Sequence, residues 1–219
     1  MQVLVTAGPT HEPIDPVRFI GNHSSGKMGI AIAEKFSAEG HEVKLVLGAT
    51  HLRPSDSRIQ VAAVQTAAEM YDACKQYFHE ADVIVFAAAV ADYTPKEVSP
   101  VKIKKKENEF TIELVKTKDI AAELGRLKSN KQMIVGFALE TDNEETNALE
   151  KLKKKNFDFV VLNSMRDAGA GFQHDTNRIT ILDKYNNETK FELKSKYEVA
   201  NDIYDYTLKL IQKEKDITT

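Results

Sequence analysis

ADVIVFAAAVAD, residues 81 to 92, decides the fold: the run Val83 to Ala89 is apolar at every position, it ends in small residues, and an acid, Asp92, follows. A strand with one wet face alternates apolar and polar residues. An unbroken apolar strand is buried on both faces, as in a parallel sheet covered by helices. Four more apolar runs stand at Val3 to Val5, Val43 to Leu47, Met133 to Phe137 and Phe157 to Leu162, two of them interrupted once, by Lys44 and Asp158, and they are mostly separated by segments with helical periodicity. The pattern predicts a Rossmann-like, doubly wound α/β fold with a mostly parallel sheet. After Asn163, RITIL and KFEL flank the turn-like YNNET and read as an antiparallel pair, an appendage over about residues 163–195. Val199, Ala200, Ile203, Thr207, Leu210 and Ile211 trace one face of a final helix. Residues 1–219 are expected to form a single domain.

The bulk numbers exclude several classes. With 42% hydrophobic and 29% charged residues and no apolar run near the ~20 residues needed to cross a bilayer, the chain does not read as a membrane protein. Its start, MQVLVTAGPT, lacks the basic and apolar regions of a signal peptide, so a cytoplasmic location is expected. The single cysteine, Cys74, shares helical spacing with Met70, Ala73, Tyr77 and Phe78 and reads as a packed thiol. A net charge of -3 gives no general attraction to nucleic acid, although lysines gather at Lys102 to Lys106 and Lys151 to Lys155.

Two stretches do not read as regular α/β units. Three prolines bar a helix or central strand from the first half of PTHEPIDPVRFIGNHSSGKMG, residues 9 to 29, and DYTPKEVSPVKIKKKENE carries two prolines and five lysines at about residues 92–109. GNHSSGKM, residues 21 to 28, nearly matches the Walker A pattern but has Met28 where a hydroxyl would hold magnesium. What remains is a helix start at about Gly26, with Ser24 or Ser25 as cap and amides open to an anion. Gly26 and Gly29 permit close approach by a ligand or by the neighbouring strand. A capped helix packed through small residues fits the same segment.

AAAVAD, residues 87 to 92, falls at the carboxyl end of a buried strand, where open α/β sheets bind ligands. Its alanines leave room for main-chain groups to read a nucleobase edge, with Asp92 as a ribose or metal-linked ligand; a tightly packed strand end explains the same residues. KIKKK, starting at Lys102, reads as a solvated loop or as a lid bringing lysine to phosphates. Lys151 and Lys155 lie one helical turn apart.

Together TAGPTHEPIDPVRFIGNHSSGKMG, AAAVADY, KIKK, VGFALET and AGAGFQHDTNRITIL resemble, in this order and over essentially the whole chain, the phosphopantothenoylcysteine synthetase family in its bacterial form. The resemblance implies a Rossmann-related homodimer that uses CTP with Mg2+ to convert 4'-phosphopantothenate into an acyl-cytidylate, releasing pyrophosphate. L-cysteine then displaces CMP. It implies no flavin in this chain, and a functional link to a phosphopantothenoylcysteine decarboxylase. By motif, Asn22 matches the asparagine tied to the acyl-nucleotidylate, donating to a developing oxyanion, and Lys102 the lid lysine tied to its formation. Gly8, Ser24, Ser25, Gly26, Phe86, Ala87, Ala88, Asp92, Lys102, Lys118, Asp119, Ile120, Ala121, Phe137, Lys151 and Lys155 match positions that hold the nucleotide; Asn22, Ala88 and Ala89 match the substrate side. No metal ligand follows from the resemblance. Pro9 and Lys118 depart from the usual glycine and proline. Two other readings are a nicotinamide-dependent reductase, whose Tyr-x-x-x-Lys pair appears only as Tyr71 and Lys75 on the wrong helix, and a non-catalytic nucleotide-binding module.

Overall fold

In a computed structural model of the chain, residues 1–105, 109–140, 142–164 and 175–218 are described. Lys106 of the lysine run and residues 168–174 of the AGAGFQHDTNRITIL motif lie outside them. In chain order the elements are β1 (Gln2–Ala7), β2 (His11–Pro13), β3 (Phe19–Gly21), α1 (Lys27–Ala38), β4 (Glu42–Leu47), β5 (Gln60–Ala63), α2 (Ala67–Phe78), β6 (Val83–Phe86), β7 (Tyr93–Pro95), β8 (Leu114–Lys116), α3 (Ile120–Arg126), β9 (Met133–Glu140), α4 (Glu144–Lys154), β10 (Phe159–Ser164), β11 (Thr176–Asn177), β12 (Ile179–Asp183), β13 (Glu188–Lys190), β14 (Lys194–Ser195) and α5 (Lys196–Thr218).

Among the described residues, eight strands form one sheet in the order β13-β12-β10-β9-β6-β1-β4-β5. From β5 to β10 every pairing is parallel, and β12 and β13 add an antiparallel edge. The unbroken apolar runs supply both faces. Val3, Val5 and Ala7 of β1 pack with α1 and α5, whereas Leu4 joins Met70, Cys74 and Phe78 of α2 on the other side. Phe36, Phe78 and Phe159 are fully buried, and truncating any one to alanine is expected to cost about 3–5 kcal/mol. Thr66 starts α2 through a reciprocal capping box with Glu69.

The order of the parallel strands reverses between β1 and β6. After β1 the chain builds outward through β4 and β5, then returns to place β6 on the other side of β1. Such a switch point opens a crevice at the carboxyl ends of the two strands.

Several local readings change. The run Val83 to Ala89 is a strand only to Phe86, beyond which Ala89 makes a single bridge to Pro9. RITIL and the start of KFEL do form an antiparallel pair, with Thr180 opposite Lys190 and the Phe191 amide donating to the Ile179 carbonyl at 3.0 Å, but the partner strand begins earlier than expected, at Glu188, and RITIL lies inside the sheet between β10 and β13. The proline-rich segments form two small hairpins, β2 with β3 and β7 with β8, outside the main sheet.

Candidate functional site

The crevice at the switch point is a cavity of about 770 Å³. Its floor is Thr6 at the end of β1 and Phe86 to Ala89 at the end of β6, and the start of α1 forms one wall. The helix start is built without a serine cap, contrary to the sequence reading. Gly26 is the N-cap residue, in the left-handed region at φ 83°, and no side chain caps the helix. Ser24 Oγ instead accepts from the Gly26 amide at 3.3 Å, closing the turn before the helix. A side chain at Gly26 would stand 3.1 Å from the Gly8 Cα, so backbone packing as well as φ demands glycine here. At Gly29 a Cβ would meet Ala7 Cβ at 2.5 Å; the close neighbour there is β1, not a ligand. The uncapped first turn, residues 26–29, lines the cavity and offers main-chain N–H groups to an anion.

Asn22 stands at the end of β3 and reaches across to the alanine segment. Its Nδ2 donates to the carbonyls of Ala89 at 3.0 Å and Val90 at 3.2 Å. Both donors of the carboxamide are thereby directed at main chain, so donation to an oxyanion, the role drawn from the sequence, does not fit. Asn22 presents Oδ1, an acceptor. The alanine segment is also less open than expected. The Ala88 amide donates to Thr6 Oγ1 at 3.2 Å and the Ala89 amide to the Gly8 carbonyl at 3.0 Å, so neither is available to read a base.

The opposite wall is cationic. Lys116, Lys118, Lys151 and Lys155 line it, Lys27 and Lys196 add two more lysines beside the start of α1, and Asp92 and Asp119 stand against them. Lys151, on α4, donates to Glu140 at 3.3 Å, and Lys155, at the end of that helix, to Asp119 at 2.9 Å. Asp119 also accepts from the Ala122 amide as N-cap of α3. Burial pushes its carboxyl up, but Lys155 and the Ala122 amide outweigh burial and hold it below the ordinary value. Lys118, at the departure from the family's proline, rests its ammonium 4.3 Å above the Tyr71 ring. At the far end Lys196, the first residue of α5, is pulled below the ordinary lysine value by burial and then by neighbouring Lys27, with Asp175 opposing.

Of the residues singled out from the sequence, Asn22, Ser24, Ser25, Gly26, Phe86, Ala87, Ala88, Ala89, Asp92, Lys118, Asp119, Ile120, Ala121, Phe137, Lys151 and Lys155 all face this one cavity. Gly8 and Lys102 do not. Gly8 packs against Gly48 and Gly26, and the main chain beside Lys102 is tied to the loop before β3. Sequence reasoning passed over Lys27, Lys116, Asn163, Asn177 and Lys196. Asn163 was the most findable, since it ends an unbroken apolar strand as Ala87 does; its Oδ1 is buried and makes no hydrogen bond in the structure. Among the described residues no three His, Cys, Asp or Glu side chains are grouped to hold a metal. Nor is any described helix long and apolar enough to cross a membrane.

Strand order and crevice together define a Rossmann-type α/β protein with a lysine-lined cavity at its switch point. The chain belongs to the family described as the DNA/pantothenate metabolism flavoprotein C-terminal domain, whose model matches residues 1–210. It is 58% identical over 210 residues to a cysteine/cysteine sulfinic acid decarboxylase from an unknown prokaryotic organism, covering 96% of this chain and 58% of that protein. It is 43% identical over 201 residues to the coenzyme A biosynthesis bifunctional protein CoaBC of Bacillus subtilis, covering 92% of this chain and 49% of the relative. The chain thus spans about half the length of these curated relatives. Among solved structures, the C-terminal domain of a CoaBC protein superposes with a TM-score of 0.82 at 40% identity, covering 97% of this chain and 98% of that one.

Proposed function

We propose that this chain is a ligase of coenzyme A biosynthesis that joins 4'-phosphopantothenate to L-cysteine through an acyl-cytidylate made from CTP. The observation that carries the reading is the placement of Asn22, anchored on Ala89 and Val90, between an open helix N-terminus and a wall of lysines in one switch-point cavity. The similarity to CoaBC proteins supports the same pathway.

Lys118, Lys151 and Lys155, with the turn Ser24 to Gly26 and the open first turn of α1, suit the nucleotide and its phosphates, while Lys27 and Lys196 suit the phosphate of 4'-phosphopantothenate. In the first step a carboxylate oxygen of 4'-phosphopantothenate attacks the α-phosphorus of CTP, the bond to the outer phosphates breaks, and pyrophosphate leaves. The lysines offset charge that accumulates as two anions meet. In the second step the cysteine amine attacks the acyl carbon, the bond to the cytidylate oxygen breaks, and CMP departs. Asn22 Oδ1 accepts an N–H of the amine and aims its lone pair at that carbon. Mg2+ fits as the salt of the nucleotide, because such an ion keeps phosphates and waters as ligands and asks for only one or two carboxylates; Asp92 lines the cavity and makes no salt bridge among the described residues, whereas Asp119 is paired with Lys155. When bound it would neutralise phosphate charge.

A second copy of the chain as partner is supported by apolar side chains left exposed on and beside the two small hairpins, among them Phe19, Val101 and Phe110 at 51, 67 and 60%. Incubation with 4'-phosphopantothenate, CTP, Mg2+ and cysteine should release pyrophosphate and CMP in equal amounts. No release with CTP or with ATP would refute the reading.

A further inference from the structure

Asp15 is one of the buried charges that the chemistry proposed above does not use. Asp15, in the loop between β2 and β3, has a side chain with no solvent exposure, and it is paired with Arg18, whose side chain is 45% exposed. One carboxylate oxygen accepts from the amides of Val17 at 2.8 Å and Arg18 at 2.9 Å, which closes the hairpin turn. The other accepts from Arg18 Nε at 3.0 Å, from Arg18 Nη2, and from the amide of Ile103 at 3.0 Å. Arg18 Nη2 also donates to the Ile103 carbonyl at 2.9 Å. The ion pair thus grips both main-chain groups of one residue 88 positions from Asp15. A little upstream, the Ser99 amide donates to the Ile14 carbonyl at 3.0 Å, so the same loop holds that segment twice.

Ile103 lies directly after Lys102, and Arg18 directly precedes β3, which delivers Asn22. We propose that Asp15 is a positioning residue for the ligase: through Arg18 it fixes the peptide that presents Lys102 and the strand that presents Asn22 relative to each other. A carboxylate is required because every partner it meets is a donor, and an amide would turn N–H toward the guanidinium or the Ile103 amide. Arg18 is required because only a forked cation can take the carboxylate with one edge and a carbonyl with the other. The alternative is an ion pair that only stabilises the hairpin.

This inference rests on the ligase reading, and its test separates the two. Asp15→Asn, Lys102→Gln and the double variant are compared in the full chain by pyrophosphate release. Asp15→Asn should lower kcat by roughly 10- to 100-fold, the loss typical of freeing a reacting group from a fixed geometry, and leave the KM for CTP within about twofold because the lysines of α4 are untouched. In the double variant Asp15→Asn should add less than about twofold to the loss from Lys102→Gln, since residues acting as a unit are not additive. Multiplicative losses, or a wild-type rate for Asp15→Asn, would overturn the proposal. Limited trypsin digestion reads the grip without activity: cleavage after Lys102 and Lys104 should become on the order of tenfold faster in Asp15→Asn, while cleavage elsewhere is unchanged. Equal cleavage overturns the proposal even if the ligase works. No pyrophosphate from the wild type overturns the ligase reading and leaves the digestion to decide the grip. Should Asp15→Asn not fold, Arg18→Gln removes the hold on the Ile103 carbonyl and carries the same comparisons.

Discussion

Replacing Asn22 by aspartate separates the two chemical steps. The wild-type carboxamide is fixed by two N–H donations, to Ala89 at 3.0 Å and Val90 at 3.2 Å. A carboxylate offers no donor, so it meets two carbonyl oxygens with lone pairs facing lone pairs and turns away. Two hydrogen bonds at about 0.5–1.5 kcal/mol each amount to about 1–3 kcal/mol of lost positioning. That corresponds to roughly a 5- to 150-fold fall in the step that needs Oδ1 in place. The lysines and the helix start that surround the phosphates are not altered, so formation of the acyl-cytidylate should keep its rate. In a rapid-quench single turnover, Asn22→Asp should give a near-normal burst of pyrophosphate followed by slow CMP, with the acyl-cytidylate accumulating between them. If pyrophosphate and CMP fell together, or if both kept the wild-type rate, the assignment of Asn22 to the amine transfer would be wrong.

Lys155→Gln should weaken CTP binding about tenfold, the loss of one charge-assisted contact, and change stability little because its partner Asp119 is 46% exposed and keeps the Ala122 amide; an unchanged Kd by calorimetry would remove Lys155 from the nucleotide site. Gly136→Ala places a methyl 1.9 Å from the Phe157 ring, overpacking worth about 1–3 kcal/mol or a Tm lower by roughly 2–12 °C. Adding Phe157→Leu should recover part of that loss, and an undisturbed Tm in the single variant would contradict the packing. Burial pushes the Cys74 thiol from 9.0 to about 12, and burial together with Asp183 pushes Tyr206 from 10.0 to about 12. Between these values the unfolded chain binds fewer protons than the folded one, so stability should fall as pH rises from about 9 to 12. Urea midpoints measured across that range should flatten in Cys74→Ala; an identical slope would show that the thiol is not the cause.

The sheet was legible because its central strands are apolar without interruption, and only a doubly covered parallel sheet asks for that. β5 escaped for the opposite reason: as an edge strand it leaves Gln60, Val61 and Ala63 exposed, and its four residues carry neither period. The two hairpins escaped because prolines argue against central strands and say little about short pairs outside the sheet. In the site, the residues near strand ends could be found, since fold class alone says where ligands go. The polar partners could not. Nothing local in HSSGKMG reveals that Gly26 displaces the serines as cap, because the reason is Gly8, eighteen positions earlier. Likewise Lys27 and Lys196 meet only after α5 packs against α1. That Asn22 spends its donors on Ala89 and Val90 is a fact of three dimensions.

Gly8, Gly26 and Gly48 come from three separate segments, and each has another of the three, or its flanking backbone, where a side chain would go; a Cβ on Gly48 would lie 2.2 Å from the Pro9 carbonyl oxygen. At this joint main chain rests on main chain, with no side chain between to yield or to be exchanged. Asn22 and the open helix start therefore inherit their placement from the ends of β1 and β4. An engineer who wished to retune the cavity could substitute lysines on its far wall one at a time. Moving the loop onto another scaffold would mean carrying both strand ends with it, because the joint behaves as one indivisible part assembled from distant pieces of chain.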